Sequence, residues 1–164
     1  MVTVDLYPDE VYNLVSEIPD PEIPVITIKD LGILRGVRIE DGAYIVTITP
    51  TYTACPAMGM IGDQIKEILG SHGVTNVKVE LTYKPAWTTD WLTQEAKLKL
   101  KKYGIAPPNH SSCSKLFSTA EIVSCPQCNS KHTSLISRFG STACKALYKC
   151  DDCKETFDAF KCHE

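Results

Sequence analysis

At 164 residues, with 43% hydrophobic and 23% charged residues, the chain has room for one ordinary domain and a small second one. Its net charge of −3 divides into −4 over the first 110 residues and +1 over the rest, so neither part has the basic balance of a nucleic-acid binder. MVTVDLYPDE has neither the positive nor the apolar region of a signal peptide, and no apolar run is long enough to span a bilayer. A cytoplasmic protein without a membrane or nucleic-acid partner is therefore expected, whose eight cysteines read as metal ligands or reactive thiols rather than disulfides.

Pro8–Ile18 is predicted as a helix: Pro8 suits its first position, Asp9 and Glu10 its positive end, and Val11, Leu14, Val15 and Ile18 make an apolar face. The two prolines of Asp20-Pro21-Glu22-Ile23-Pro24 end it in an extended loop. Asp20 and Glu22 are read first as solvated loop charge, and second as ligands or contacts near Cys55. Gly32, in Asp30-Leu31-Gly32, is a candidate for a positive φ or a bulge. Strands Ile33–Ile39 and Ala43–Thr49 are joined at Glu40-Asp41-Gly42, a turn of Asp-Gly chemistry.

The chain is organised around Ala43–Leu69. Its strand is apolar on both faces, which suits a central position. In the helix Met58–Leu69, residues Met58, Ile61, Ile65, Ile68 and Leu69 recur on one stripe. Pro56 fits the first helical position, which leaves Cys55 at the N-cap. There the free amides of the first turn and the helix dipole are expected to favour its thiolate, as a nucleophile or metal ligand requires. The plainer alternative is a small buried Cys at a turn. After the turn Gly70–Gly73, where His72 reads as exposed, Thr75–Tyr83 alternates with Val77, Val79, Leu81 and Tyr83 on one face. Strand, helix and strand imply a parallel crossover, hence an α+β domain with a small mixed β-sheet and packed helices.

Trp87 and Trp91 are read as a lid on the core, with a partner surface as the alternative. Leu92–Tyr103 is a predicted helix closed by Gly104, its lysines a solvated face that suits the dipole. The first domain is set at 1–108, a linker holding Cys113 at 109–120, and a second domain at 121–164. In the second, Cys125-Pro-Gln-Cys128 and Cys150-Asp-Asp-Cys153 are two knuckles whose four thiolates close a tetrahedral zinc site, with iron as the other metal that suits the geometry. Thr133–Phe139 and Ala143–Lys149 form a hairpin around Gly140-Ser141-Thr142. So small a module needs the metal as a staple. Cys144, Cys162 and His163 are left over as core residues or, alternatively, a second thiolate and imidazole site with Cys113 as a candidate fourth ligand. His110 and His132 read as exposed.

Asp20-Pro21-Glu22-Ile23-Pro24, Asp30-Leu31-Gly32, the Thr-rich loop Thr49–Thr53 with Thr51 and Thr53, Cys55-Pro56 and Trp87…Glu95-Ala96 resemble the small α+β family of iron–sulfur assembly proteins that includes the SufT-like proteins. Phe139-Gly-Ser-Thr-Ala-Cys144-Lys-Ala-Leu-Tyr-Lys-Cys150 and Phe157-Asp-Ala-Phe-Lys-Cys162-His163 are similar to the PaaD family, the D subunits encoded with bacterial phenylacetyl-CoA epoxidase. The resemblance covers nearly the whole chain. It implies an accessory or maturation role in phenylacetate breakdown, with the epoxidase oxygenase or reductase subunits as partners and a homo-oligomer as a further expectation. It also implies a functional thiol at Cys55, assisted by Asp20, Glu22, Thr51 and Thr53, that transiently carries iron or an iron–sulfur cluster. The residues offer no Glu-x-x-His for a di-iron oxygenase, no G-x-G-x-x-G for a dinucleotide and no Ser/His/Asp arrangement. Three functions follow: an iron–sulfur maturation factor, a structural subunit with a packed Cys55, and a zinc-ribbon nucleic-acid binder, which the near-neutral ribbon disfavours.

Overall fold

The computed structural model describes residues 6–108 and 122–161. The chain forms two compact units, Met1–Trp87 and Thr88–Glu164.

The first unit runs α1 (Pro8–Ser16), β1 (Leu34–Glu40), β2 (Ala43–Ile48), α2 (Ala57–Ser71) and β3 (Val77–Leu81). Asp41 at φ 51° and Gly42 at φ 73° are both left-handed, so the two-residue turn has the twist an antiparallel hairpin requires. Glu40 then faces Ala43, and Leu34 faces Ile48 across one irregularity before Gly36. Strand β2 is central: β1 pairs with it antiparallel and β3 parallel, the crossover running through α2. Val37, Val46 and Val79 are aligned across the sheet. A Cβ on Gly62 would stand 3.8 Å from the Val79 side chain, which places α2 on that face. Val11 and Val15 of α1 and Ile61, Ile65 and Leu69 of α2 are fully buried in the core. The sheet is mixed, as expected, but the anticipated Val77–Tyr83 face is only partly covered, with Leu81 48% and Tyr83 51% exposed. An edge strand lacks a neighbour to shield its outer side. Trp87 is buried and donates its indole N–H to the Leu31 carbonyl at 2.7 Å, so it does close the core.

The second unit holds a 3₁₀ turn (Thr89–Trp91), α3 (Gln94–Tyr103), β4 (Ile105–Ala106), β5 (Thr133–Ser137), β6 (Lys145–Cys150) and β7 (Thr156–Phe160). Helix α3 starts later than its apolar pattern suggests, because the Thr93 hydroxyl caps it by accepting the Ala96 N–H. It ends at Gly104, left-handed at φ 93°. The sheet order is β4-β7-β6-β5. The sequence groups α3 and the residues of β4 with the first domain, whereas β4 pairs parallel with β7 of the ribbon. The expected hairpin is present, and β7 adds a further strand to it. The linker, with Cys113 and His110, lies outside the described residues.

Gly140, in the β5–β6 turn, has a structural reason. A Cβ there would overlap the Asp158 carboxylate, which accepts the Ser141 hydroxyl at 2.6 Å and faces the buried Lys145 ammonium at 3.8 Å. Pinned in this way, Asp158 cannot swing aside. Gly140→Ala should therefore cost about 1–3 kcal/mol through overpacking. Urea unfolding of the second unit is the measurement, and an unchanged midpoint would show that the turn relaxes freely.

Candidate functional site

The C-terminal end of β2 leads through Thr49 and Thr51, both buried, to Cys55, which is half-buried. Helix α2 begins at Ala57 with Pro56 as its N-cap, so Cys55 precedes the cap rather than forming it. Its sulfur still receives the Ala57 N–H and the Thr51 hydroxyl. From the other side, the loop after α1 brings in two carboxylates. Asp20 is buried, not solvated: one of its oxygens accepts the N–H groups of Glu22 and Ile23, each at 2.9 Å, and so shapes the Pro21–Pro24 turn. Glu22 and Asp20 both act electrostatically on the thiol. The structure thus gathers Cys55, Thr51, Asp20 and Glu22 into one locality. Thr53, in the same loop, is exposed.

The electrostatics run against the expected thiolate. Burial, foremost, and the negative charges of Glu22 and Asp20 push the Cys55 thiol above its usual range, outweighing the Ala57 N–H and the Thr51 hydroxyl that pull it down. The helix amides are therefore too weak a counterweight one residue before the cap. A cation bound among these groups would reverse the carboxylate effect, because its charge dominates the local pKa balance. In the free protein, Cys55 alkylation should be slow at neutral pH and keep rising beyond the pH at which an exposed thiol levels off. A rate-against-pH profile that levels off where an exposed thiol does would contradict this environment.

In the second unit, Cys125, Cys128, Cys150 and Cys153 place their sulfurs within 4.8 Å of one another. Cys125 approaches Cys153 at 3.7 Å and Cys128 approaches Cys150 at 3.5 Å. Tetrahedral zinc with bonds near 2.3 Å requires sulfurs about 3.8 Å apart, so the set fits the ion. The two knuckles share one backbone design. Asn129 at φ 61° and Lys154 at φ 67° each follow the second Cys in the left-handed region. The Cys125 N–H donates to Ser130 O, and the Cys150 N–H to Glu155 O, both at 2.8 Å. These tight turns aim amides at sulfur. The Cys153 N–H, then the Asp152 N–H, bring Cys150 down to about 7. At Cys153 the Glu155 N–H pulls the same way, but burial and the thiols of Cys150, Cys128 and Cys125 push it up to about 12. Four crowded thiols cannot all ionise unless a cation sits among them.

Residues 109–161 match the family described as PaaD zinc beta ribbon domain, and residues 8–86 match Iron-sulfur cluster assembly protein. The chain is 51% identical, over 93% of its length and 92% of the relative's, to the D subunit of the "Putative 1,2-phenylacetyl-CoA epoxidase" of Escherichia coli (strain K12). The chain belongs to the PaaD family. Its first unit alone extends the kinship. It is 35% identical, over 56% of this PaaD chain and 89% of the relative, to the "Fe-S protein maturation auxiliary factor" of Porphyromonas gingivalis (strain ATCC BAA-308 / W83). The "Domain of Unknown Function DUF59 from Bacillus anthracis" has the same fold, with a TM-score of 0.52 and 25% identity over 57% of this chain and 90% of that one. The ribbon of a PaaD chain is thus a structural zinc module, and its other unit an iron–sulfur assembly domain. Among the described residues no helix is long and apolar enough to cross a membrane.

Of the suggested second site, Cys144 is buried with its sulfur 3.0 Å from the Thr142 hydroxyl, while Cys162 and His163 lie outside the described residues. His132 is exposed and its Nδ1 faces Asp152 at 3.2 Å. One feature of the thiol site escaped sequence reasoning, the burial of Asp20. The Asp-Pro-x-x-Pro spacing carried a signal for it, since a short acceptor ahead of a forced turn commonly takes the turn's own amides.

Proposed function

We propose that this chain is an accessory factor of the phenylacetyl-CoA epoxidase system that assists iron or iron–sulfur assembly on one of the epoxidase subunits, with Cys55 as the transient ligand of the cargo. The observation that carries this reading is the gathering of Cys55, Thr51, Asp20 and Glu22 on the iron–sulfur assembly unit of a PaaD-family chain. A soft thiol beside hard carboxylates offers iron both kinds of donor. Protonated at rest, the thiol keeps the site from scavenging metal; an arriving cation displaces the proton and is held weakly enough to be passed on. Cys125, Cys128, Cys150 and Cys153 hold structural zinc and keep the second unit folded.

The test is to purify the epoxidase subunits anaerobically from cells with and without this chain and measure their iron and visible spectra. Subunits that acquire full iron without the chain would defeat the proposal. One observation favours a second reading: the raised Cys55 pKa also suits a packed, inert thiol. In that case the chain is a structural component of the complex, and its loss disperses the assembly while the iron stays in place.

A further inference from the structure

The ribbon sheet has two outer strands, the two-residue β4 and the longer β5. Exposed edge strands in soluble proteins are commonly guarded by lysine, proline or a bulge. Within Thr133–Ser137 there is no charge and no proline. Among the described residues, an irregularity between Leu135 and Ser137 interrupts the strand, and the Thr133 hydroxyl at its start donates to the Val123 carbonyl. Leu135 is 49% and Ile136 53% exposed, and Phe139, just beyond the strand, is 68% exposed with the Lys161 ammonium 4.2 Å above its ring.

The charge carried by the hairpin's own residues is one-sided. Residues 122–150 contain no Asp or Glu, while Lys131 and Arg138 stand exposed at either end of β5 and Lys149 lies opposite Ser134 on β6. Of the acids that follow, Asp152 accepts the Ser130 hydroxyl and faces His132, while Asp151 accepts the Ser134 hydroxyl in the middle of β5, which leaves Lys131 and Arg138 as the basic ends of the strand. In a chain of net charge −3, this hairpin is a basic, apolar-toothed edge.

We propose that the outer edge of β5 takes up an extended acidic segment of the client protein by strand addition. Main-chain hydrogen bonds supply the grip, Leu135 and Ile136 contact alternate apolar residues, and Lys131 and Arg138 pair with acids at the segment's ends. A second copy of this chain is a poor occupant. Antiparallel pairing of two β5 edges would set Lys131 of one against Arg138 of the other, like charge on like charge at both ends, with Asp151 held on Ser134 at mid-strand. The proposal rests on the maturation reading, since a factor that loads a client must first hold it, but it concerns β5 of the second unit and not Cys55.

The experiment is amide hydrogen exchange on the full zinc-loaded chain, alone and mixed with the purified oxygenase and reductase subunits of phenylacetyl-CoA epoxidase. The β5 amides should exchange fast in the free chain and about tenfold or more slowly in the mixture. Ile136→Lys and Arg138→Glu should each weaken binding about tenfold, with zinc content and thermal midpoint unchanged, because both side chains are exposed. Cys55→Ser should bind as the parent does. Protection of β5 already present in the free chain would mean that the chain covers its own edge, and the proposal falls. It falls equally if the subunits do not bind, if they bind without protecting β5, or if salt-sensitive protection comes from added nucleic acid instead. Should Ile136→Lys lose binding while Cys55→Ser still loads iron, the edge stands and the Cys55 reading fails. Normal binding by Ile136→Lys with iron lost in Cys55→Ser would instead sink the edge and keep the Cys55 reading.

Discussion

Removing the ribbon metal should unfold the second unit as a whole, β4 included, and leave the first unit intact. The metal thiols are part of the core, not an appendage to it. Cys125 and Cys150 are fully buried and pack with Ala106, Val123, Ala146, Tyr148, Phe157 and Ala159. Tyr148 and Phe157 stack with their centroids 6.0 Å apart, directly beside the Cys150 end of β6. Strand β4 is held by β7, β7 by β6, and β6 carries Cys150. Gly104, which closes α3, lies against the first knuckle, since a Cβ there would stand 3.6 Å from the Gln127 amide. Structural zinc contributes about 10–16 kcal/mol of apparent binding energy in comparable modules, whereas a whole domain has a net stability of about 5–15 kcal/mol. Loss of the ion therefore exceeds what this small core can supply. Strong chelation, or Cys150→Ser, should release about one zinc per chain and abolish amide protection over 105–106 and 122–160. Protection over 8–86 should persist. Retained protection in the metal-free second unit would refute a folding role for the metal, and joint loss in both units would refute their independence.

Legibility of the fold followed the range over which each determinant acts. The Asp41-Gly42 turn, the two-sided apolar β2 and the paired Cys-x-x-Cys knuckles depend on neighbours in sequence, and all were readable from it. Strand β4 was not: two residues, Ile105 and Ala106, show no periodicity and become a strand only because β7 is there to pair with them. Strand β7 was hidden by its position between the knuckle and the end of the chain, where Thr156–Phe160 alternates too briefly to register. At the thiol site, Cys55-Pro56 marked the place, but the cap fell one residue later. The direction of the Cys55 pKa depended on long-range facts: how deeply the thiol is buried and where a loop more than thirty residues earlier puts Glu22 and Asp20. A one-dimensional reading sees the helix amides and misses the carboxylates. Asp20 was misread as solvated for the same reason, because its partners are main-chain N–H groups, which leave no sequence signature.

Cys55→Ser should separate loading from folding. The serine hydroxyl is close in size to the thiol and can accept the same Ala57 N–H and Thr51 hydroxyl. It also leaves the half-buried position without a cavity, so the fold should lose no more than about 1 kcal/mol. Cargo binding should fare differently. A hydroxyl stays protonated at neutral pH and is a poor ligand for soft metals. The Asp20 and Glu22 carboxylates remain, but with Asp20 held by two main-chain N–H groups they provide an incomplete set of donors. The expected result is a split: an unchanged thermal midpoint and zinc content, with client epoxidase that is short of iron and low in activity. A packed, inert Cys55 predicts the opposite, any loss of activity tracking a loss of stability. Glu22→Gln supplies the control for mechanism. It removes one of the charges that raise the Cys55 pKa while keeping the loop's shape, so Cys55 should alkylate faster at neutral pH even as iron retention falls. Faster alkylation with undiminished loading would show that the thiol acts without the carboxylate. Stable Cys55→Ser protein that matures its client normally would remove Cys55 from the mechanism and leave the structural reading standing.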